Sequence, residues 1–272
     1  MLWTSAGVTN VFAILFSIFL LLVGACIYLA LILQVIARPS ERAVEATKTF
    51  GLPEAIFATS LTLFLLLGAL GSLTSGTKQI TDRVLAENLL FTLGIVVLIT
   101  GLLKFRGFNV NSLAGFTKTS FAHAALTGAA LLLAAYPLIA FADAITQRLL
   151  GSGSSKQTIV ELFNSSRTID RRIMIIIFAV AIAPAAEEFL FRFFFYGVLR
   201  RYLGRFLGLV LNSLLFAAVH AHLPSFAPLF VLGSCFTIAY EWSGTILVSM
   251  TMHALFNAVS LTVLAFPELF PQ

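Results

Sequence analysis

Long apolar runs separated by short polar clusters make up this chain. No charged residue occurs between Met1 and Ala37. That run is too long for a signal-peptide core and has no basic segment ahead of it. It predicts a first spanning helix over roughly residues 10 to 36, since a span needs about 20 apolar residues at about 1.5 Å rise each. Uncharged stretches from Ala55 to Thr77, Asn88 to Leu103 and Thr119 to Ala142 predict three more spans, the last containing His123. A polar, Ser-rich connection follows, from Gly151 to Arg172. Within it, Gln157 to Phe163 (QTIVELF) is expected to form an amphipathic interfacial helix.

The second half has a different pattern. Apolar sequence resumes at Ile173 but is interrupted by Glu187, Glu188 and Arg192. Arg200, Arg201 and Arg205 then mark a membrane edge. From Phe206 to Tyr240 there is no Lys, Arg, Asp or Glu, yet the run splits near Pro224 into pieces of about 206 to 221 and 226 to 240. A last helix is expected from about Gly244 to Phe266. The pattern predicts an all-α, polytopic membrane helix bundle of about eight transmembrane segments. A β-barrel would show short alternating segments, and these are absent from the sequence. Three regions follow: 1–145 as an N-terminal membrane region of four helices, 146–172 as the polar connection, and 173–272 as a membrane core carrying the chemistry.

Composition supports this reading. Of 272 residues, 59% are hydrophobic and 11% charged, where a soluble domain carries roughly a quarter charged residues. Disorder, a disulfide scaffold and a coiled coil are excluded. The net charge of +5 fits loops facing anionic lipid better than a nucleic-acid site. Membrane lipid is therefore the expected partner, and nucleic acid is not. Nine basic residues fall in the loops on one side of an eight-segment arrangement and seven on the other. That bias is too small to fix orientation. Cys26 and Cys235 lie in apolar runs without metal-ligand spacing and read as small apolar residues.

Ionisable residues inside membrane segments are costly unless paired or hydrated, so each is a functional hypothesis. Glu188 and Arg192 are four apart and can pair on one helix face. Glu187 sits about 100° round the helix and is the less compensated carboxylate, suited to take a proton. The bland alternative is an ion-pair knot that only fixes helix packing. Phe216 and His220 share a face, and His220 alone is as often a packing residue as a catalytic one. His222 and His123 read as structural. His253 and Asn257 are four apart on the last segment, where both can donate to a developing oxyanion or make an interhelical hydrogen bond.

Depth joins the three groups. Glu187 lies 16 residues before Leu203 and His220 lies 17 after it. Both are then about 25 Å along antiparallel helices. From the same face His253 is about 13 Å deep and Asn257 about 20 Å, a difference that tilt absorbs. The polar residues can therefore meet in one place.

Glu187-Glu188-x-x-x-Arg192, Phe216-x-x-x-His220 and His253-x-x-x-Asn257 together resemble the three-motif signature of the CPBP (Abi) family of intramembrane proteases, which includes type II CAAX prenyl endopeptidases and bacteriocin-processing or self-immunity proteins. The resemblance covers roughly residues 157 to 265. It implies an endopeptidase that cleaves a membrane-associated peptide or protein, in one family precedent a prenylated one. It also implies residence in the cell membrane of a prokaryote. By that resemblance Glu187 is the general base that polarises water, assisted by His220. His253 and Asn257 stabilise the tetrahedral oxyanion, and Glu188, Arg192 and Phe216 support them.

No Ser or Cys nucleophile is embedded in the motifs, which favours direct attack by water. Zinc held by Glu187, His220 and His253 is the alternative. The absence of His-Glu-x-x-His and the presence of Arg192 put a metal-free, cofactor-free site first. A proton-coupled transporter could use the same groups as a relay, but the polar residues are confined to one half of the chain, without an internal repeat. A catalytically idle immunity or scaffold protein is the third reading.

Overall fold

A computed structural model describes residues 5–38, 49–74, 82–150, 166 and 168–266. The expected interfacial helix at 157–163 lies outside these residues. Helices α1 (Ser5–Ala37), α2 (Leu52–Thr74), α3 (Asp82–Phe105) and α4 (Phe121–Leu150) come first. A composite helix, α5 (Ile169–Val219), follows, then α6 (Phe226–Ser243) and α7 (Ile246–Ala265). Among the described residues there is no strand, and seven helices are long and apolar enough to cross a membrane.

The longest, α5, is two rods rather than one. Gly204 has φ +80° and ψ 174°, a conformation that residues with a Cβ avoid, and the chain folds back there. Phe191 and Phe216 consequently stack edge-to-face at 5.2 Å across the two arms. The reversal lies between Arg201 and Arg205, where the arginines mark the membrane edge. Counting its arms separately gives the expected eight apolar segments.

Several helices extend beyond their uncharged runs. α4 continues to Leu150 through Asp143, and Gln147 donates to that carboxylate one turn back at 2.7 Å. α3 begins at Asp82, before the expected start at Asn88, and Arg83 pairs with Glu87 at 2.7 Å. Charges spaced i, i+4 are helix-compatible, so the first charge ends the apolar run without ending the helix.

α1 shows why composition alone marks this as a membrane chain. Between Val11 and Ile36 only Gly24, Tyr28 and Leu31 are buried, a single stripe at helical spacing. Phe12, Leu15, Phe19 and Leu22 are among many large apolar side chains facing outward. On a soluble protein so much contiguous apolar surface would be an association site; here it meets lipid. Lipid is as apolar as these side chains, so helix contacts rest on close packing rather than on the hydrophobic effect. The α4–α7 contact illustrates this. At Gly128 a Cβ would stand 2.9 Å from the Val248 carbonyl oxygen, so only glycine permits that approach.

The N-terminal helices pack onto the C-terminal ones. Tyr28 donates to the Leu131 carbonyl at 3.0 Å, tying α1 to α4. At the Arg-rich edge, Glu241 holds Arg200 at 2.7 Å and Arg205 at 3.2 Å. Arg205 also donates to the Val35 carbonyl at 2.9 Å, and Arg38 to the Trp242 carbonyl at 2.6 Å. These bonds lock the C-terminal end of α1 to α5 and α6.

Candidate active site

The motif helix is buried on every side. Each residue from Glu188 to Tyr196 is buried, so this part of α5 runs through the middle of the bundle. Its helix also widens twice. Phe178–Ile182 and Phe189–Phe195 are π-helical, and Ala183–Glu188 between them is α-helical. Such wide turns cost hydrogen-bond geometry and concentrate at functional sites. The small residues Ala183 to Ala186 let α7 approach closely, alongside Glu187 and Glu188.

Glu188 and Arg192 form the predicted pair, with Nη1 2.9 Å from Oε1 and both side chains fully buried. The guanidinium also donates to the Gly233 carbonyl on α6 at 3.4 Å. It lies over the Phe216 ring at 4.3 Å and near the Phe236 ring at 5.1 Å. Cation–π contact compensates part of its lost hydration. Gly233 and Phe236 had no signal in the sequence beyond being apolar or small. They matter because α6 packs against α5 at Arg192.

His253 joins the two carboxylates. Its Nδ1 is 2.9 Å from Glu188 Oε1, and its Nε2 is 3.8 Å from Glu187 Oε2. Phe216 and Phe236 wall the ring, with centroids at 5.8 Å and 5.1 Å. A carboxylate bound to Arg192 can only accept, so Nδ1 donates to it and Nε2 is directed to Glu187. Donation from both ring nitrogens would require His253 to carry both ring protons.

Glu187 is the open member of the pair, with 30% of its side chain exposed against none for Glu188. His220 stands at the C-terminal end of α5, exposed and within range of the charges on Glu187 and His253. Its Nδ1 is 2.6 Å from the Phe216 carbonyl oxygen. A carbonyl only accepts, so Nδ1 donates, and in the neutral ring Nε2 is left as a proton acceptor. The next residue, Ala221, has φ +49°, a left-handed turn that ends the helix at His220.

The remaining residues separate. Asn257 commits one N–H of its amide to its neighbour helix and keeps the second. It donates through Nδ2 to the Ala179 carbonyl on α5 at 2.9 Å. His222 bonds Ser225 within its own turn at 2.7 Å, in keeping with a structural role. Among the described residues, no three of His, Cys, Asp and Glu are grouped as a metal-ligand set, Glu187, His220 and His253 included.

Residues 170–259 match the family described as type II CAAX prenyl endopeptidase Rce1-like. No curated protein and no solved structure matches the chain.

Proposed function

We propose that this multi-pass membrane protein, whose residues 170–259 match the type II CAAX prenyl endopeptidase Rce1-like family, hydrolyses a peptide bond in a membrane-associated protein or peptide through a water activated by Glu187 and His220. The observation that carries this reading is the unequal state of the two adjacent carboxylates. Glu188 is buried and held by Arg192 and His253, whereas Glu187 is partly exposed and stands farther from His253, at 3.8 Å. One carboxylate organises the site, and the other is left to take a proton.

In this mechanism a water between Glu187 and His220 Nε2 loses a proton as it attacks the scissile carbonyl carbon. The carbonyl oxygen gains negative charge. His253, charged and oriented by Glu188, donates Nε2–H to that oxyanion, and the second N–H of the Asn257 amide adds to it. The proton taken up passes to the leaving amine as the tetrahedral adduct collapses. No metal is required, because His253 and Asn257 supply the positive potential that a Lewis acid would otherwise provide. The substrate class is a peptide held at the bilayer by a lipid chain, and the setting is a prokaryotic cell membrane.

The test is cleavage by chain reconstituted in liposomes, comparing a farnesylated C-terminal peptide with the same peptide unlipidated. The expected result is a kcat/KM higher by about 10²-fold or more for the lipidated peptide, because anchoring concentrates it at the bilayer. Equal rates for both would remove the lipid from the proposal. Failure to cleave either would count against hydrolysis.

A further inference from the structure

We propose that Pro184 is a positioning residue for the reaction: by withholding a backbone N–H it reserves the Ala179 carbonyl for Asn257 and so fixes the direction of the Asn257 amide. This rests on the reading of Asn257 as an oxyanion donor, which it deepens.

The Ala183 N–H bonds the Phe178 carbonyl, five residues back, at the end of the first π-helical segment. The next bond in that register would run from residue 184 to the Ala179 carbonyl. Residue 184 is proline and has no N–H to give. Ala179 O would then lack its helical donor within an apolar bundle, where an unpaired carbonyl is costly. Asn257 Nδ2, on α7, donates to it at 2.9 Å instead. Proline is tolerated here because it opens the α-helical stretch Ala183–Glu188.

An amide is planar, and its two N–H bonds diverge by about 120°. Once one N–H is committed to Ala179 O, the direction of the other is set. The same bond pins α7 to α5 two turns before Glu187. A residue with an N–H at 184 could bond Ala179 O itself and release the Asn257 amide to rotate. Pro184 touches neither substrate nor the reacting atoms in this account. It acts through Asn257.

The experiment is a double-mutant cycle on reconstituted, full-length protein with Pro184→Ala and Asn257→Ala, read by thermal unfolding and by steady-state kinetics. Alanine favours the helix interior, so Pro184→Ala is expected to fold. In the Pro184 background, Asn257→Ala should lower Tm by about 2 to 4 °C, since it strands a carbonyl. In the Pro184→Ala background, the same change should lower Tm by much less. Pro184→Ala alone should reduce kcat about tenfold with KM nearly unchanged, and should add nothing to Asn257→Ala.

Tm coupling without any effect on kcat would show that the Pro184–Asn257 link exists and that Asn257 is not an oxyanion donor, overturning the positioning role. Independent, additive effects on both Tm and kcat would overturn the link itself. If the protein cleaves no peptide, the function is at fault while the Tm cycle still decides the link. As a second variant, Asn257→Asp keeps shape but removes the donor. It should match Asn257→Ala in Tm loss if the bond to Ala179 O is what matters, and wild-type Tm would contradict it.

Discussion

Glu188 Oε1 stands 2.9 Å from His253 Nδ1, although 65 residues separate them in the chain. The same oxygen is 2.9 Å from Arg192 Nη1. One carboxylate atom thus sets the orientation of the histidine and balances the arginine. In the proposed mechanism this residue transfers no proton itself.

Glu188→Gln tests that dependence. It keeps the size of the side chain but leaves Arg192 and His253 without a shared anion. The expected outcome is a kcat reduced by about 10²-fold or more, by analogy with the loss of orienting carboxylates behind catalytic histidines, with a lower folded yield. Steady-state kinetics and size-exclusion yield measure the two effects. Wild-type kcat would mean that His253 does not need this anion.

Arg192→Lys preserves charge and discards shape. An ammonium can meet Glu188, but it cannot lie flat over Phe216 or reach the Gly233 carbonyl as a fork does. Folded yield is expected to fall clearly below wild type. Arg192→Ala should cost more, about 3 to 5 kcal/mol, because Glu188 is then a buried charge paired only with His253. Thermal unfolding in detergent ranks the three proteins, and equal stability of wild type and Arg192→Lys would refute the geometric argument.

Ala221→Gly is expected to stabilise. A non-glycine residue at φ +49° carries a cost of about 1 to 2 kcal/mol. Glycine removes most of it, and Tm should rise by about 2 to 4 °C. An unchanged or lower Tm would show that the turn after His220 is not strained.

The sequence made some of these relations readable, and the reasons differ from residue to residue. The Glu188–Arg192 pair is an i, i+4 contact on one helix, so spacing alone reveals it. The reversal near Gly204 is announced by three arginines in an apolar run. The Glu188–His253 bond requires knowing which faces of α5 and α7 meet, and two apolar helices in lipid carry no polar face to announce that. The π-helical register of Phe189–Phe195 left no trace either, because an all-apolar stretch around Arg192 fits either turn width. Pro184 was visible in the sequence, yet its effect shows only once Asn257 is found on the Ala179 carbonyl. The short bounds expected for α3 and α4 have a simpler cause: an uncharged run closes at the first charge, whereas helices pass through charges that pair one turn away.

The proposal that the site works without metal makes a direct prediction. Dialysis against EDTA or 1,10-phenanthroline should leave the cleavage rate within about twofold of the untreated protein, and elemental analysis of purified protein should find no stoichiometric zinc. Loss of activity on chelation, restored by added zinc, would recast Glu187, His220 and His253 as ligands.

The central claim is that Glu187 takes a proton from water, and Glu187→Gln in reconstituted membranes tests it most directly. Glutamine keeps the size and removes the basic oxygen. Normal membrane insertion and thermal stability are expected, since Glu188 rather than Glu187 binds Arg192. The expected fall in kcat is about 10² to 10⁴, the range of general-base effects. Cleavage by Glu187→Gln at close to the wild-type rate, in a folded protein, would contradict it.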